Sequence, residues 1–350
     1  MINNLSGFRS NWTTRLGPIN SCPAPHHPRL YSAAMKVVII GASGETGRSI
    51  VNGLLESAIE FEITAVSREL SINSKSNDEL RKLGVQVVAG DLKDPENDLI
   101  RLLTRCDVVI SSVTAAALPD QILLSDAAKK AGVGRFIPCF FGPVAPPKGV
   151  MKLRETKEDV LNHIKKIYLP YTVIDAGWWY QLSAPRLPSG RIDYGLLAPM
   201  ERLLGDGSVP SALTHVRDIG RYVARIVADP RTLNKMVFAY NELLTQEQIF
   251  DKLEKLSGEK LERSYVSEAE LKAEVAKFEE LVRNGSTDPM IIQRLWAYQY
   301  RYSWGIRGDN TPESAKYLGY LLGKELYPDM DFTTFDGYLK ELLDGKARKP

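Results

Sequence analysis

From Met35 onward, short apolar runs alternate with stretches of helical period. Val37-Val38-Ile39-Ile40, Glu62-Ile63-Thr64-Ala65-Val66, Val85-Gln86-Val87-Val88, Asp107-Val108-Val109-Ile110-Ser111, Arg135-Phe136-Ile137-Pro138 and Tyr171-Thr172-Val173-Ile174-Asp175 read as strands. Near-continuous β-branched runs of this kind suit parallel strands buried on both faces. Between them the spacing predicts helices over 48–55, 78–83, 120–131 and 150–166. Repeated βα units imply an α/β fold of the Rossmann type, a doubly wound parallel sheet with helices on both faces. Ligands then bind outside the carboxyl ends of the strands.

The pattern changes after strand six. Residues 177–207 carry aromatics, Pro and Gly without a clear helix. Asp218 is the expected N-cap of a helix over 219–228, and Met236-Val237-Phe238-Ala239 reads as a last strand returning to the sheet. Helices are predicted over 246–257 and 267–283, and a final helical stretch opens at Asp309-Asn310-Thr311-Pro312. The expected organisation is a nucleotide-binding domain over 35–176, rejoined by 213–240, with a smaller α-rich substrate lobe from 177–212 and 241–350. Residues 1–34 stand apart: they lack Asp and Glu, hold Arg9, Arg15 and Arg29, and are broken by Pro18, Pro23, Pro25 and Pro28. They read as a disordered extension, as a start site placed too early, or as an organellar transit peptide.

Composition narrows the class. At 350 residues, 44% hydrophobic and 25% charged, the chain has the make-up of an ordinary globular protein. A net charge of +2 gives no field for nucleic acid or an anionic membrane. No apolar run is long enough for a spanning helix. Cys22, Cys106 and Cys139 have no paired spacing, and His26, His27, His163 and His215 form no metal-ligand pattern. No metal is expected, and the cytoplasm is the expected compartment. Asn11-Trp12-Thr13 and Asn284-Gly285-Ser286 match the glycosylation pattern without a secretory signal beside them.

The chemistry starts at the first strand–helix junction. Gly41-Ala42-Ser43-Gly44-Glu45-Thr46-Gly47 places glycines at G-x-x-G-x-x-G between strand one and the first helix. Such a junction lets backbone approach a pyrophosphate and offers it the free N–H groups of a helix N-terminus. Strand two ends in Ser67-Arg68, where an NAD-preferring site carries an acid. An Arg there suits the 2′-phosphate of NADPH. Lys75 adds charge nearby. Asp91, after strand three, either accepts from an adenine amino group or caps the next helix. Ser112 and Val113 are expected to pass beneath the nucleotide.

With these motifs in view, the chain resembles the NmrA-like and isoflavone-reductase-like branch of atypical short-chain dehydrogenases. The glycine turn, Ser67-Arg68, Arg135-Phe136-Ile137-Pro138-Cys139-Phe140-Phe141-Gly142, Leu169-Pro170-Tyr171-Thr172, Asp218-Ile219-Gly220 and Gly308-Asp309-Asn310-Thr311-Pro312 carry the likeness. It runs from about Met35 to Tyr338, and the later motifs look most like fungal members. The likeness implies NADPH as cofactor, Cys139 and Phe140 beside it, and secondary metabolism as the setting. Its catalytic lysine, counted back from Leu169, falls on Lys157. Taken alone, Lys157 sits near a helix start, where nearby cations and partial burial disfavour the ammonium and suit proton exchange. The chain departs from the plant Pro-Ser-Glu-Phe-Gly pattern at Cys139 and Phe140. The Tyr320/Lys324 pair has the spacing of the common short-chain catalytic pair but lies far too late.

Phe141, Trp178, Trp179 and Tyr180 follow strand ends that should open on the cleft, as an aromatic floor for a flat substrate. The aromatic stretch 294–304 is a lid, a second wall or a packed helix. His215 approaches the pocket or serves the core. The sequence thus points to an NADPH-dependent reductase of a conjugated C=C or C=O on an aromatic or polyketide-like small molecule. The rivals are a redox-sensing regulator that binds the dinucleotide without catalysis, and a redox-neutral dehydratase or isomerase. A monomer or homodimer is expected.

Overall fold

The computed structural model describes residues 34–348, so the leader read at 1–34 lies, save for its last residue, outside the described residues. The first half alternates strand and helix, with a helix between strands three and four that the sequence reading lacked. β1 (Met35–Ile40) leads to α1 (Glu45–Leu55), β2 (Phe61–Ser67) to α2 (Lys75–Lys82) and β3 (Gln86–Ala89) to α3 (Glu96–Leu103). β4 (Val108–Ser111) leads to α4 (Gln121–Lys130), and β5 (Arg135–Ile137) to α5 (Lys152–Lys166) and β6 (Thr172–Asp175).

The remaining strands are β7 (Trp178–Trp179), β8 (Leu203–Leu204), β9 (Ser211–Thr214), β10 (Lys235–Phe238), β11 (Glu242–Leu244), β12 (Tyr265–Val266) and β13 (Tyr320–Leu322). The helices are α6 (Val216–Ala228), α7 (Gln246–Ser257), α8 (Glu268–Arg283), α9 (Pro289–Tyr302), α10 (Pro312–Tyr317), α11 (Gly323–Leu326) and α12 (Phe335–Leu343). A π-helix over Ser303–Arg307 continues α9.

Five strands pair in the parallel order β3-β2-β1-β4-β5. A parallel bridge from Phe136 to Tyr171 carries the sheet on to the parallel set β6-β10-β13. The order reverses between β1 and β4, so a crevice opens there at the carboxyl ends. Both faces are buried, as the continuous apolar runs require. Val37 and Ile39 join the core under α1 and α6, while Val38 and Ile40 join the core under α3, α4 and α5. A further core around Tyr180, Phe250, Phe335 and Tyr338 holds the C-terminal elements. Among the described residues no helix is long and apolar enough to cross a membrane.

Further elements differ from the sequence reading, and α1 starts early, at Glu45. α2 starts at Lys75, because Ser74 Oγ accepts from the Asn77 amide. α6 starts at Val216, and its cap is His215, whose Nδ1 accepts from the Arg217 amide. Asp218 is fully buried instead, where it accepts from Arg221, Asn241 and the Thr333 amide. Tyr320–Leu322, expected within a helical stretch, is a strand because the open edge of β10 supplies its partners. The capping box at Thr245 and Gln248 forms as its residues suggest.

Candidate active site

The glycine turn is built as its spacing requires. Gly41 has φ +81°, and a Cβ there would sit 2.2 Å from the Ser112 carbonyl oxygen. A Cβ on Gly47 would sit 2.1 Å from the Gly41 carbonyl oxygen. Both glycines are therefore demanded by the protein's own backbone. Gly44 is different: a Cβ there would meet only the Gly41 carbonyl oxygen, at 3.6 Å. It lies exposed as the N-cap of α1 and supplies no side-chain cap, so the first N–H groups of the helix have no such partner. An open glycine beside an uncapped helix N-terminus fits a pyrophosphate. Ala42 and Gly47 are buried, Ser43 is exposed, Thr46 is half-buried, and Glu45 accepts from Arg348 at 2.8 Å. Ser112 is tied by its amide to the Ile40 carbonyl at 2.8 Å, so Ser112 and Val113 pass the turn at close range.

Arg68 is exposed, and its guanidinium has no hydrogen bond or ion pair among the described residues. The loop that bears it is held firmly. Buried Asn77 donates to Ser67 Oγ and to the Ser71 carbonyl, both at 2.7 Å. Lys75, at the first position of α2, is exposed too. Such free cations after β2 suit a 2′-phosphate. Asp91 does not cap the next helix. Its Oδ1 accepts from the Lys93 amide at 3.0 Å and closes a turn, while α3 begins later, after Pro95.

After β5 the chain bends towards β6. The Cys139 amide donates to buried Gln121 Oε1 at 2.8 Å, and the Cys139 thiol donates to the Val113 carbonyl at 3.3 Å. Burial raises the pKa of that thiol against the pull of the Lys157 charge, so it acts as a filler and not a thiolate. Phe141 has φ +33°, an uncommon state for a bulky residue, and its amide donates to the Ile174 carbonyl at 2.9 Å. This bend turns the Phe140 carbonyl towards α5, where Lys157 Nζ donates to it at 2.5 Å. Lys157 is 8% exposed. The next residue, Gly142, completes the niche: the point its Cβ would occupy lies 3.8 Å from Lys157 Nζ and 3.6 Å from the Tyr300 hydroxyl.

The aromatic floor is smaller than the sequence suggests. Trp178 is half-buried and packs at a tilt against Tyr300 and Trp304, each with centroids 5.6 Å away. Trp179 is half-buried against the main core. Three expected substrate contacts lie elsewhere. Phe141 is buried in the main core, and Tyr180 is fully buried, with its hydroxyl on Glu242 at 2.8 Å. His215 caps α6 between the Tyr180 and Tyr338 rings. Burial pushes its pKa down to about 4, with Arg217 adding to the fall and Asp218 opposing it. The side chain of Phe140 is likewise buried, against Leu161 and Val173, and Lys157 Nζ lies 5.7 Å from its ring centroid while donating to its carbonyl.

A charged network behind the niche is invisible in the sequence. Arg154, one helical turn before Lys157, donates to Asp175 Oδ2 at 2.8 Å, to the Tyr320 hydroxyl at 2.6 Å and to Glu158 at 2.8 Å. Its side chain and that of Asp175 are 3% and 1% exposed. Burial disfavours the Arg154 charge, but Asp175, Tyr320 and Glu158 more than offset it, and the guanidinium pKa is raised. Tyr320 is thus committed to this network, while Lys324 lies between the Tyr240 and Phe332 rings. The late Tyr/Lys pair is not a catalytic pair. No group of residues that could hold a metal occurs among the described residues.

Comparison with known proteins places this geometry. The NmrA-like family model matches residues 33–339. Asnovolin J 5′,6′-dehydrogenase of Aspergillus novofumigatus is 48% identical over 315 residues, 89% of this chain and 96% of that protein. An isoflavone reductase-like protein of Olea europaea is 30% identical over 330 residues, 88% of this chain and 98% of that one. Among solved structures, an isoflavone reductase matches with 27% identity and a TM-score of 0.72 over 88% of this chain and 99% of that one. AtPrR2 with NADP+ and (+)pinoresinol matches with 25% identity and a TM-score of 0.70, over 89% of this chain and 100% of that one.

Proposed function

The chain belongs to the NmrA-like family, and from that premise we propose that it is an NADP(H)-dependent oxidoreductase of a conjugated or aromatic small molecule, with Lys157 as its acid–base group. The observation that carries the reading is the niche at Gly142, where a buried lysine lies next to a residue without a side chain. The relatives support the class of reaction: one is named a dehydrogenase, another resembles isoflavone reductase, and one solved neighbour holds NADP+.

The division of labour follows from the residues. The α1 N-terminus and Gly44 bind the pyrophosphate, and Arg68 with Lys75 hold the 2′-phosphate. Ser112 and Val113 carry the backbone past the turn towards the niche. When bound, the cofactor supplies or accepts hydride. Lys157 keeps two N–H groups beyond the one given to the Phe140 carbonyl. They can donate to a substrate oxygen and exchange a proton with it as its charge changes. Trp178 offers the flat surface for a conjugated ring.

The test has two parts. Titration with NADPH and NADH should show clear preference for NADPH. Turnover is then followed with (+)pinoresinol plus NADPH and with asnovolin J plus NADP+, using Lys157→Met beside the wild type. Reduced and oxidised cofactor should interconvert in step with substrate, and Lys157→Met should lose roughly 10²–10⁴-fold in rate while still binding NADPH. Product without net cofactor change would support redox-neutral chemistry. Equal rates in both proteins would remove Lys157 from the chemistry.

A further inference from the structure

Tyr300 has no place in the chemistry so far, yet its hydroxyl lies at the niche. That hydroxyl has no hydrogen-bond partner among the described residues. It stands 3.6 Å from the point a Cβ on Gly142 would occupy, and Lys157 Nζ stands 3.8 Å from the same point, so both donors border one face of Gly142. The placement is built in. Gln299, 2% exposed, accepts from the Lys152 amide at 3.0 Å and donates to Glu279 Oε1 at 2.9 Å. It therefore ties α9 both to the start of α5, the helix of Lys157, and to α8. Immediately afterwards the helix widens into the π-helix over Ser303–Arg307, a form that recurs at functional sites. That segment sets Trp304 against Trp178, and the buried Trp304 indole N–H also lacks an acceptor.

Resting on the reading of Lys157 above, we propose that Tyr300 is a second catalytic residue, whose hydroxyl donates to the same substrate oxygen as the Lys157 ammonium. Two donors from separate elements, a phenol on α9 and a cation on α5, then form a fixed site for an oxygen that gains negative charge. Preorganised donors of this kind stabilise the charge without rearrangement at the moment of reaction. The substrates that suit it carry an enolisable carbonyl or a phenolic oxygen conjugated to the carbon that exchanges hydride. The aromatic wall at Trp178 suits the same class.

The probe is 4-nitrophenol, whose ionised form absorbs visible light where the neutral form does not. It is titrated into the full chain with and without NADP+. The pair should bind the phenolate in preference to the phenol and lower the apparent pKa of the bound probe. Tyr300→Phe keeps the ring against Trp178 and should weaken phenolate binding by about 10–100-fold, the range for a hydrogen bond to a charged group. The effect should shrink in the Lys157→Met background, because the two donors share one oxygen. Gly142→Ala is an independent check: its Cβ would meet the Phe140 carbonyl oxygen at 3.5 Å and the two donors at 3.6 and 3.8 Å, all ordinary contacts. That variant should melt like the wild type and lose the phenolate. Equal affinity in wild type and Tyr300→Phe overturns the proposal. So does a wild type that binds NADP+ but no phenolate, an outcome that leaves the oxidoreductase reading standing. Failure to bind NADP+ counts against that reading instead, while the titration without cofactor still decides Tyr300.

Discussion

Gly44→Ala should separate nucleotide binding from folding. Gly44 has φ −76° and ψ 171°, extended backbone open to any residue. Its Cβ would meet one atom, the Gly41 carbonyl oxygen, at an ordinary 3.6 Å. Alanine at such a position restricts the unfolded chain, worth about 0.4–1 kcal/mol, but caps a helix less well than glycine by a similar amount. The melting temperature should stay within about 2 °C of the wild type. The same methyl projects into the space before the uncapped N-terminus of α1. Loss of charge-assisted hydrogen bonds there costs about 1.5–3 kcal/mol, or about 10–100-fold in NADPH affinity. Gly47→Ala is the contrast. Its Cβ would fall 2.1 Å from the Gly41 carbonyl oxygen and 2.7 Å from Ala42 Cα, so backbone must move. Overpacking of that kind costs about 1–3 kcal/mol, and melting should drop by several degrees. NADPH fluorescence titration and thermal melting on both variants decide the matter. The reasoning fails if Gly44→Ala binds NADPH as the wild type does, or if it melts as early as Gly47→Ala.

Arg68→Ala should weaken NADPH by about tenfold or more and leave NADH unchanged, since the guanidinium has no partner within the protein to lose; equal losses for both cofactors would count against a 2′-phosphate contact. His215 is held near pKa 4 in the fold against 6.5 when free, so the unfolded chain binds more protons between those values. Stability should therefore be complete above about pH 6.5 and fall by roughly 3 kcal/mol towards pH 4, and His215→Asn, which can still cap α6, should flatten that slope in urea unfolding. Arg154→Met should cost about 3–5 kcal/mol by stranding buried Asp175, whose Oδ1 already lacks a partner, and adding Asp175→Asn should recover part of the loss.

The sheet was legible because its information is local. Strands buried on both faces must be apolar at every position, and the β1 run shows it, with alternate residues feeding two cores. The glycine turn was legible for a similar reason: positive φ at Gly41 and the close approach at Gly47 are demands that glycine alone meets. Arg68 could be located from its place at the end of strand two, whereas Lys157 was marked by the family resemblance, counted back from Leu169. Tertiary structure decided everything that depends on which side chains meet. Asp218 looked like a cap and is a buried anchor, because the Thr333 segment comes back to it. Tyr180 and His215 looked placed for substrate and are taken up by the C-terminal core. Tyr320 became a strand residue in a buried ion network, because β10 and Arg154 awaited it. The approach of both Tyr300 and Lys157 to Gly142 has no trace in local periodicity. Periodicity reports which face of an element is buried, whereas the partner across that face is chosen by packing between elements far apart in the chain.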